Sequence, residues 1–241
     1  MNSPTKLNYE VRPCKFAERT MLLAVLQTIT NKFEGKYQYI GFGGLTFTDF
    51  KLFHRNLHID IMHSIEGGSY SEDRLKYNSP YGFIQIHKGM SSTELTKINF
   101  DTKTIVWLDY DGAIEDYTFS DLSLLLRKMP VGSVYIVSCN RELKNKENSD
   151  FSSVDEFVDV FKELSPSDLK ISDLSASNDY KTIRKMFNKS VRNALKDRNM
   201  YGDSVKFRQL FDIIYQENRG AKMYTYGGII LDHNYEEHLL E

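Results

Sequence analysis

The strongest constraint on the fold is a short apolar segment that runs directly into a cluster of glycines. Residues 37–42 are predicted to form a buried strand, Gly43 and Gly44 follow at once, and Asp49 can cap a helix that starts there. Glycines at such a place let the backbone turn tightly and approach a ligand, while the following helix offers unpaired N–H groups. Strand, glycine turn and helix in this order are typical of α/β sheets with a ligand crevice at the carboxyl ends of their strands.

The same alternation of strand and helix continues through the first 140 residues. An amphipathic helix is predicted over residues 15–33, with Phe16 and Met21 among its apolar positions, and another over 119–129. Further strands are predicted over 59–65, 83–87, 103–108 and 133–137. The strand over 103–108 is apolar enough to be buried on both faces and is expected to stop at Asp109. Repeated crossovers of this kind predict a doubly wound parallel sheet.

The rest of the chain has a different pattern. Residues 154–164 and 180–196 are predicted helices, and the segments 205–215 and 222–231 are predicted to pair as a β-hairpin around a turn at 217–220. A helix over 205–215 is the alternative, because its apolar residues also fit a period of 3.6. The polar stretch over 67–80 is interpreted as an insertion.

Composition and charge exclude several classes of protein. The chain has 241 residues, of which 41% are hydrophobic and 27% charged, so it is neither disordered nor fibrous. A formal net charge of -2 gives no overall attraction to nucleic acid or anionic membranes. Cys14 and Cys139 are isolated, and the histidines lack ligand spacing beyond His54 and His58, so neither a disulfide framework nor a metal site is predicted. No apolar run approaches the roughly 20 residues of a membrane span, which favours a cytoplasmic location.

An acidic residue ends the second predicted strand. Open α/β nucleotide folds place a carboxylate there to bind ribose hydroxyls, and Glu66 occupies that position, before Gly67 and Gly68. The run Gly41-Phe42-Gly43-Gly44 is not the full GxGxxG of dinucleotide enzymes. A glycine turn without a ligand, and an exposed glutamate that starts a turn, are therefore the alternatives at this point.

Four motifs resemble the class I S-adenosylmethionine-dependent methyltransferases, and within them a group of uncharacterised bacterial proteins labelled as O-methyltransferases. The motifs are YIGFGG over 39–44, SIE over 64–66, VWLDYDG over 106–112 and YGGIIL over 226–231. The resemblance implies a single methyltransferase-like domain over 1–241 with a Rossmann-like, doubly wound, seven-stranded, mostly parallel sheet and a C-terminal antiparallel β-hairpin. Within it we expect an N-terminal helix (1–36), a cofactor-binding α/β half (37–140), a helical insertion (141–202) and the terminal hairpin (203–241).

The resemblance also implies a set of site residues for S-adenosylmethionine. Those expected to contact the cofactor are Gly41, Phe42, Gly43, Gly44, Glu66, Gly89 and Asp109. The glycines would approach the methionine moiety and Glu66 would hold the ribose. Tyr39 stands where the superfamily usually has an acidic residue, two positions before the first glycine.

The predicted catalytic residues follow the fourth strand and include one residue of the N-terminal helix. A sulfonium methyl group is already activated, so the protein aligns the nucleophile and excludes water. Asp109 or Asp111 would orient or deprotonate a hydroxyl or amine of an unknown acceptor, with Tyr110 between them. Lys15 or Arg19 could meet an anionic substrate, the alternative being a solvated helix face.

Other functions fit parts of the sequence. A cofactor-binding module without catalysis, acting as a subunit or regulator of a partner protein, would account for Tyr39. The sequence DxDG after an apolar strand also resembles the first motif of haloacid dehalogenase-type phosphatases. In such an enzyme Asp109 would be the nucleophile and Asp111 the general acid, Ser138 would fit the second motif, and Mg²⁺ would be the metal ion. The basic helix over 181–198 could touch nucleic acid, but no aromatic residues for stacking are interleaved, so a solvated face is favoured.

Overall fold

The computed structural model describes residues 12–145, 147, 149–218 and 220–240, the last four without their side chains. Within them seven strands form one sheet. The strands are β1 (Tyr37–Gly41), β2 (Ile61–Glu66), β3 (Ile84–Lys88), β4 (Lys103–Ala113), β5 (Val134–Asn140), β6 (Lys206–Gln216) and β7 (Lys222–Leu231). Their order in space is β3-β2-β1-β4-β5-β7-β6. The first five strands are parallel and β7 is antiparallel to both of its neighbours, which confirms the predicted fold class.

Helices cover both faces of this sheet. They are α1 (Pro13–Lys32), α2 (Thr48–Leu57), α3 (Glu72–Asn78), α4 (Ser91–Glu94), α5 (Asp116–Lys128), α6 (Val154–Phe161), α7 (Asp179–Met200) and α8 (His233–Leu240). Short 3-10 helices lie at Leu95–Lys97, Lys162–Leu164 and Ile171–Leu174. Side chains of α1 and α2 pack on one face, and those of α5 and α7 pack on the other. None of the helices described is long and apolar enough to cross a membrane.

The central strand β4 shows why the sheet is buried on both faces. Ile105 and Trp107 point into the core on the side of α1 and α2, whereas Val106 and Leu108 point into the core on the side of α5 and α7. All four side chains are at most 1% exposed. An uninterrupted apolar run is the sequence signal of a strand covered on both faces, so its central position was correctly predicted.

The buried face of α1 differs from the predicted apolar stripe in the N-terminal half of the helix. Phe16 and Met21 are 63% and 52% exposed, so their assignment to the buried stripe is wrong. The buried face instead begins with charged residues and continues with aliphatic ones: Lys15, Glu18, Arg19, Leu22, Leu26 and Ile29. The charges are tolerated there because opposite charges on the sheet and on α2 face them.

Two predicted element boundaries are also wrong. Strand β4 does not stop at Asp109 but continues to Ala113, with an irregular register against β5 over this last part. Asp49 does not cap α2, because the cap position is Phe47 in the left-handed conformation and no side chain bonds the helix end. The Asp49 carboxylate pairs with Arg19 instead.

The C-terminal hairpin is present as predicted, and the helical alternative for 205–215 is wrong. Strands β6 and β7 pair from Lys206 with Leu231 to Gln216 with Lys222, with one irregularity in between. Arg219 of the predicted turn lies outside the described residues. The segment interpreted as an insertion over 67–80 contains the short helix α3.

A histidine pair near the edge of the sheet makes stability depend on pH. His63 Nδ1 lies 2.9 Å from His87 Nε2, and burial together with His87 lowers the pKa of His63 to about 4. The unfolded chain therefore takes up more protons than the native state between pH 6.5 and 4. We expect this histidine to contribute about 2–3 kcal/mol to the free energy of unfolding above pH 6.5, lost as the pH falls towards 4.

Urea unfolding between pH 4 and 7.5 measures this effect. A variant with both His63→Gln and His87→Gln should flatten the pH dependence in that window, because the buried pair of rings is removed. The same slope in the double variant and the wild type would contradict the prediction.

Candidate functional site

A cavity of about 370 Å³ opens at the carboxyl ends of β1, β2 and β4. Its size lies within the range of about 300–1,000 Å³ that is usual for small-molecule sites. Its walls combine glycines, acidic residues and apolar side chains, including Phe42, Gly43, Gly44, Ile65, Glu66, Met90, Ser91, Asp109, Tyr110, Asp111 and Tyr117. The cavity thus lies where open α/β sheets bind ligands, beside the point at which the strand order reverses.

Glu66 is fixed on the glycine turn by its own hydrogen bonds. Its Oε1 accepts from the N–H groups of Gly43 and Gly44, at 2.9 and 3.0 Å, and from the Ser64 hydroxyl at 2.6 Å. Burial raises the pKa of Glu66, although these hydrogen bonds favour its charged form. Oε1 receives all three bonds and Oε2 none of them, so one edge of the carboxylate is held in place beside the cavity.

The glycines of the turn are required for two different reasons. A Cβ on Gly43 would lie 2.5 Å from the Ser64 hydroxyl and 2.6 Å from the Phe47 ring, so the protein's own packing requires glycine there. Gly44 has a φ of +55° and no atom within 4 Å of where its Cβ would lie, so it borders open space. Gly41 does not line the cavity, because Tyr39 and Trp107 fill the space next to it.

A buried ammonium group holds the end of β4. Lys15 Nζ lies 2.7 Å from Asp109 Oδ2 and 2.7 Å from Glu18 Oε2, and 4.6 Å from the centroid of the Trp107 ring. Only 1% of Lys15 is exposed. Burial works against the ammonium charge, but Asp109 and Glu18 outweigh it and the pKa of Lys15 is raised. Lys15 therefore stays charged next to Asp109.

Glu18 connects this ammonium group to the C-terminal hairpin. Its carboxylate accepts hydrogen bonds from Ser138 at 3.1 Å, from Tyr215 at 3.0 Å and from Thr225. The first two turns of α1 are therefore joined to β4, β5, β6 and β7. Lys15 does not line the cavity, so its position suits the orientation of Asp109 rather than the predicted contact with an anionic substrate.

Tyr110 and Asp111 lie in different environments. The Tyr110 hydroxyl donates to Asp121 Oδ2 at 2.6 Å, the same atom that accepts from the Ser91 hydroxyl, and the Tyr110 ring packs edge-on against Phe42. Asp111 lies at the rim and much of its surface is exposed. The protein packed around it and the negative charge of Asp109 nevertheless raise the pKa of Asp111 above its usual value.

The cavity brings together most of the predicted site residues, namely Phe42, Gly43, Gly44, Glu66, Asp109, Tyr110 and Asp111. Gly41, Gly89 and Lys15 are not among its lining residues. A Cβ on Gly89 would meet the side chain of Glu94. The sequence did not predict that Asp49 lines the cavity. One signal was available: charged residues of α1 share a helix face with Leu22, Leu26 and Ile29, and charges on a buried face need partners of opposite charge nearby.

Two features behind the phosphatase alternative, Asp109 and Asp111, line the cavity, whereas Ser138 does not, and the basic face behind the nucleic-acid alternative lies on α7. Ser138 is fully buried and bonded to Trp107 and Thr225, so it does not face the cavity. The described residues contain no group of three or more His, Cys, Asp or Glu side chains arranged to hold a metal ion. On α7, Arg184 pairs with Asp212 and Lys185 with Asp168, which neutralises part of the basic face.

Among the solved structures that are similar to this chain, three each have a TM-score of 0.50. The O-methyltransferase TomG from Streptomyces achromogenes, in complex with SAM, is 13% identical over 88% of this chain and 79% of its own. An O-methyltransferase from Bacillus cereus in complex with SAH is 12% identical over 88% and 80%. The N-methyltransferase NodS from Bradyrhizobium japonicum, also with SAH, is 7% identical over 95% and 93%. At these identities the likeness concerns the fold.

Sequence comparison gives the family. No curated protein matches the chain. A family model described as "Putative O-methyltransferase" matches residues 7–241. This match confirms the family resemblance found in the motifs. The strand order and the solved structures agree with the fold that this resemblance implies. The chain belongs to that O-methyltransferase family.

Proposed function

We propose that this protein binds S-adenosylmethionine in the cavity and transfers its methyl group to an oxygen or nitrogen nucleophile. The observation that carries the proposal is the position of Glu66, whose carboxylate is pinned to the Gly43 and Gly44 N–H groups at the cavity wall. A fixed carboxylate at the end of β2 is suited to accept hydrogen bonds from the two hydroxyls of a ribose. The SAM and SAH present in the three related structures support the choice of cofactor.

The cavity walls suit the other parts of this cofactor. Ile65, Met90 and Tyr117 provide apolar surface in the cavity, against which a base attached to the ribose would pack. Asp109, Asp111 and Glu66 give the cavity acidic character, which favours a ligand with a positively charged sulfonium. When bound, the cofactor supplies an electrophilic methyl group, and the chain has to place a nucleophile in line with it.

The two aspartates at the end of β4 are suited to different roles. The Asp109 carboxylate is held by the buried Lys15 ammonium group, 2.7 Å away. Asp109 is therefore suited to orient a bound group rather than to exchange a proton with it. Asp111 lies at the rim with a raised pKa, so it is the better proton acceptor for a hydroxyl or an ammonium group.

Calorimetry with SAM and SAH tests the proposal directly. We expect binding by the wild type, and an affinity about 10- to 100-fold lower in Glu66→Gln, because a charged hydrogen-bond acceptor is lost. Glu34→Gln is the matched control, since Glu34 is exposed before β1, at the opposite end of the strands. A wild type that binds neither compound would refute the proposal, and native mass spectrometry of freshly purified protein gives an independent measurement.

Turnover needs a separate experiment, because the acceptor is not known. Release of SAH from SAM would be followed with a panel of phenols, catechols and primary and secondary amines. Release with one class would identify the nucleophile. Tight SAM binding without release for any acceptor would instead favour the second candidate, a cofactor-binding subunit without catalysis, which the tyrosine at position 39 keeps open.

A further inference from the structure

One wall of the cavity carries a buried ion pair that the sequence motifs do not explain. Arg19 Nε lies 2.5 Å from Asp49 Oδ1, and the two side chains are only 8% and 11% exposed. Both residues line the cavity, and Arg19 is the one basic side chain among its described lining residues. A guanidinium group and a carboxylate are thus presented side by side in a largely acidic cavity.

The position of this pair relative to Glu66 is set by the sheet. Glu66 ends β2, β1 lies next to β2, and β4 follows β1, so Asp109 lies two strands away from Glu66. Two strand spacings correspond to about 10 Å. Lys15, one helical turn before Arg19, is bonded to Asp109, so α1 reaches the cavity from the β4 side. A nucleoside held by its ribose at Glu66 can extend its 5′ substituent towards Arg19 and Asp49.

The 5′ substituent of SAM and SAH ends in an α-carboxylate and an α-ammonium group. The motif resemblance implies an acidic residue two positions before the first glycine, but here that position is Tyr39, which is 1% exposed and packs against Phe50 and Phe53. Charge complementarity for a zwitterion requires one cation and one anion close together. The Arg19–Asp49 pair provides both.

We infer that Arg19 binds the α-carboxylate of the cofactor and Asp49 its α-ammonium group, an inference that rests on the proposed function. The amino-acid end of the cofactor is then bound by residues of α1 and α2 rather than by a residue of β1. Arg19 is suited to this role because its planar guanidinium group can bond a carboxylate through two N–H groups, which a lysine cannot do. Asp49 lies in the first turn of α2, next to the glycine turn.

The test compares three nucleosides by calorimetry on the full-length protein. SAH has the complete amino-acid end, its decarboxylated analogue lacks only the carboxylate, and 5′-methylthioadenosine lacks both charges. The wild type should bind SAH about 10- to 100-fold more tightly than the decarboxylated analogue. Arg19→Gln should remove this difference, while its affinity for 5′-methylthioadenosine should change less than about 3-fold. Asp49→Asn should likewise lower the affinity for SAH and leave the affinity for 5′-methylthioadenosine unchanged.

Arg19→Gln leaves a buried carboxylate without its ion partner, so its folding would be checked by thermal melting. Arg19→Lys keeps the charge and should retain part of the discrimination between SAH and the decarboxylated analogue. The comparison of ligands on the wild type does not depend on any variant. Equal affinity of the wild type for SAH and the decarboxylated analogue would overturn this inference but not the proposed function. If none of the three nucleosides binds, the proposed function is overturned together with it.

Discussion

Lys15→Met lowers the free energy of unfolding by about 3–5 kcal/mol, the loss expected when one partner of a buried ion pair is removed. Methionine can fill much of the same space, but the carboxylates of Glu18 and Asp109 then lose the ammonium group that lies 2.7 Å from each. Typical domains have only about 5–15 kcal/mol of stability in total, so the loss is large. Urea unfolding at pH 7 measures it.

Lys76→Met is the matched control for burial. Lys76 Nζ lies 2.6 Å from Glu72, a distance similar to those of Lys15, but both side chains are well exposed, at 62% and 49%. Surface pairs of this kind contribute little to stability because solvent screens them, so the control should hardly change the free energy of unfolding. Adding Glu18→Gln to Lys15→Met should recover part of the loss, because it removes one uncompensated charge. Equal effects of Lys15→Met and Lys76→Met would show that the buried network is not stabilising.

Asp111→Asn reduces kcat by about 100-fold or more for the acceptor identified by SAH release, since general-base catalysis contributes about 10²–10⁴-fold. The reason is that Asp111 lies at the rim with a raised pKa, whereas Asp109 is bound to Lys15. A proton acceptor has to be ionised, so kcat of the wild type should fall as the pH drops through the pKa of Asp111. That fall should be absent in Asp111→Asn.

Three measurements separate this role from a structural one. The affinity for SAH should be nearly unchanged in Asp111→Asn, and so should the urea midpoint, because Asp111 is exposed. Asp111→Glu should restore part of kcat. If Asp111→Asn keeps the wild-type kcat and pH profile, another group accepts the proton, and the assignment of Asp111 is wrong.

Local patterns were sufficient to predict the order of the elements. The apolar run of β4, the glycines after β1 and the acidic residue at the end of β2 are signals carried by adjacent residues, so the sequence already predicted the sheet, the turn and the position of Glu66. The hairpin was predicted in the same way, from the β-branched and aromatic residues of its strands.

Contacts between distant segments decided the chemistry of the site. Lys15 and Arg19 lie on one helix and were interpreted as candidates for an anionic substrate, but their partners, Asp109 and Asp49, are far away in the chain. Whether a charged residue is solvated or buried depends on which carboxylate the fold brings next to it, and no local periodicity contains that information. The sequence by itself determined the sheet and its glycine turn, because hydrophobic periodicity and backbone freedom are local properties. Only the tertiary structure decided which charged side chains line the cavity and which are buried behind its wall.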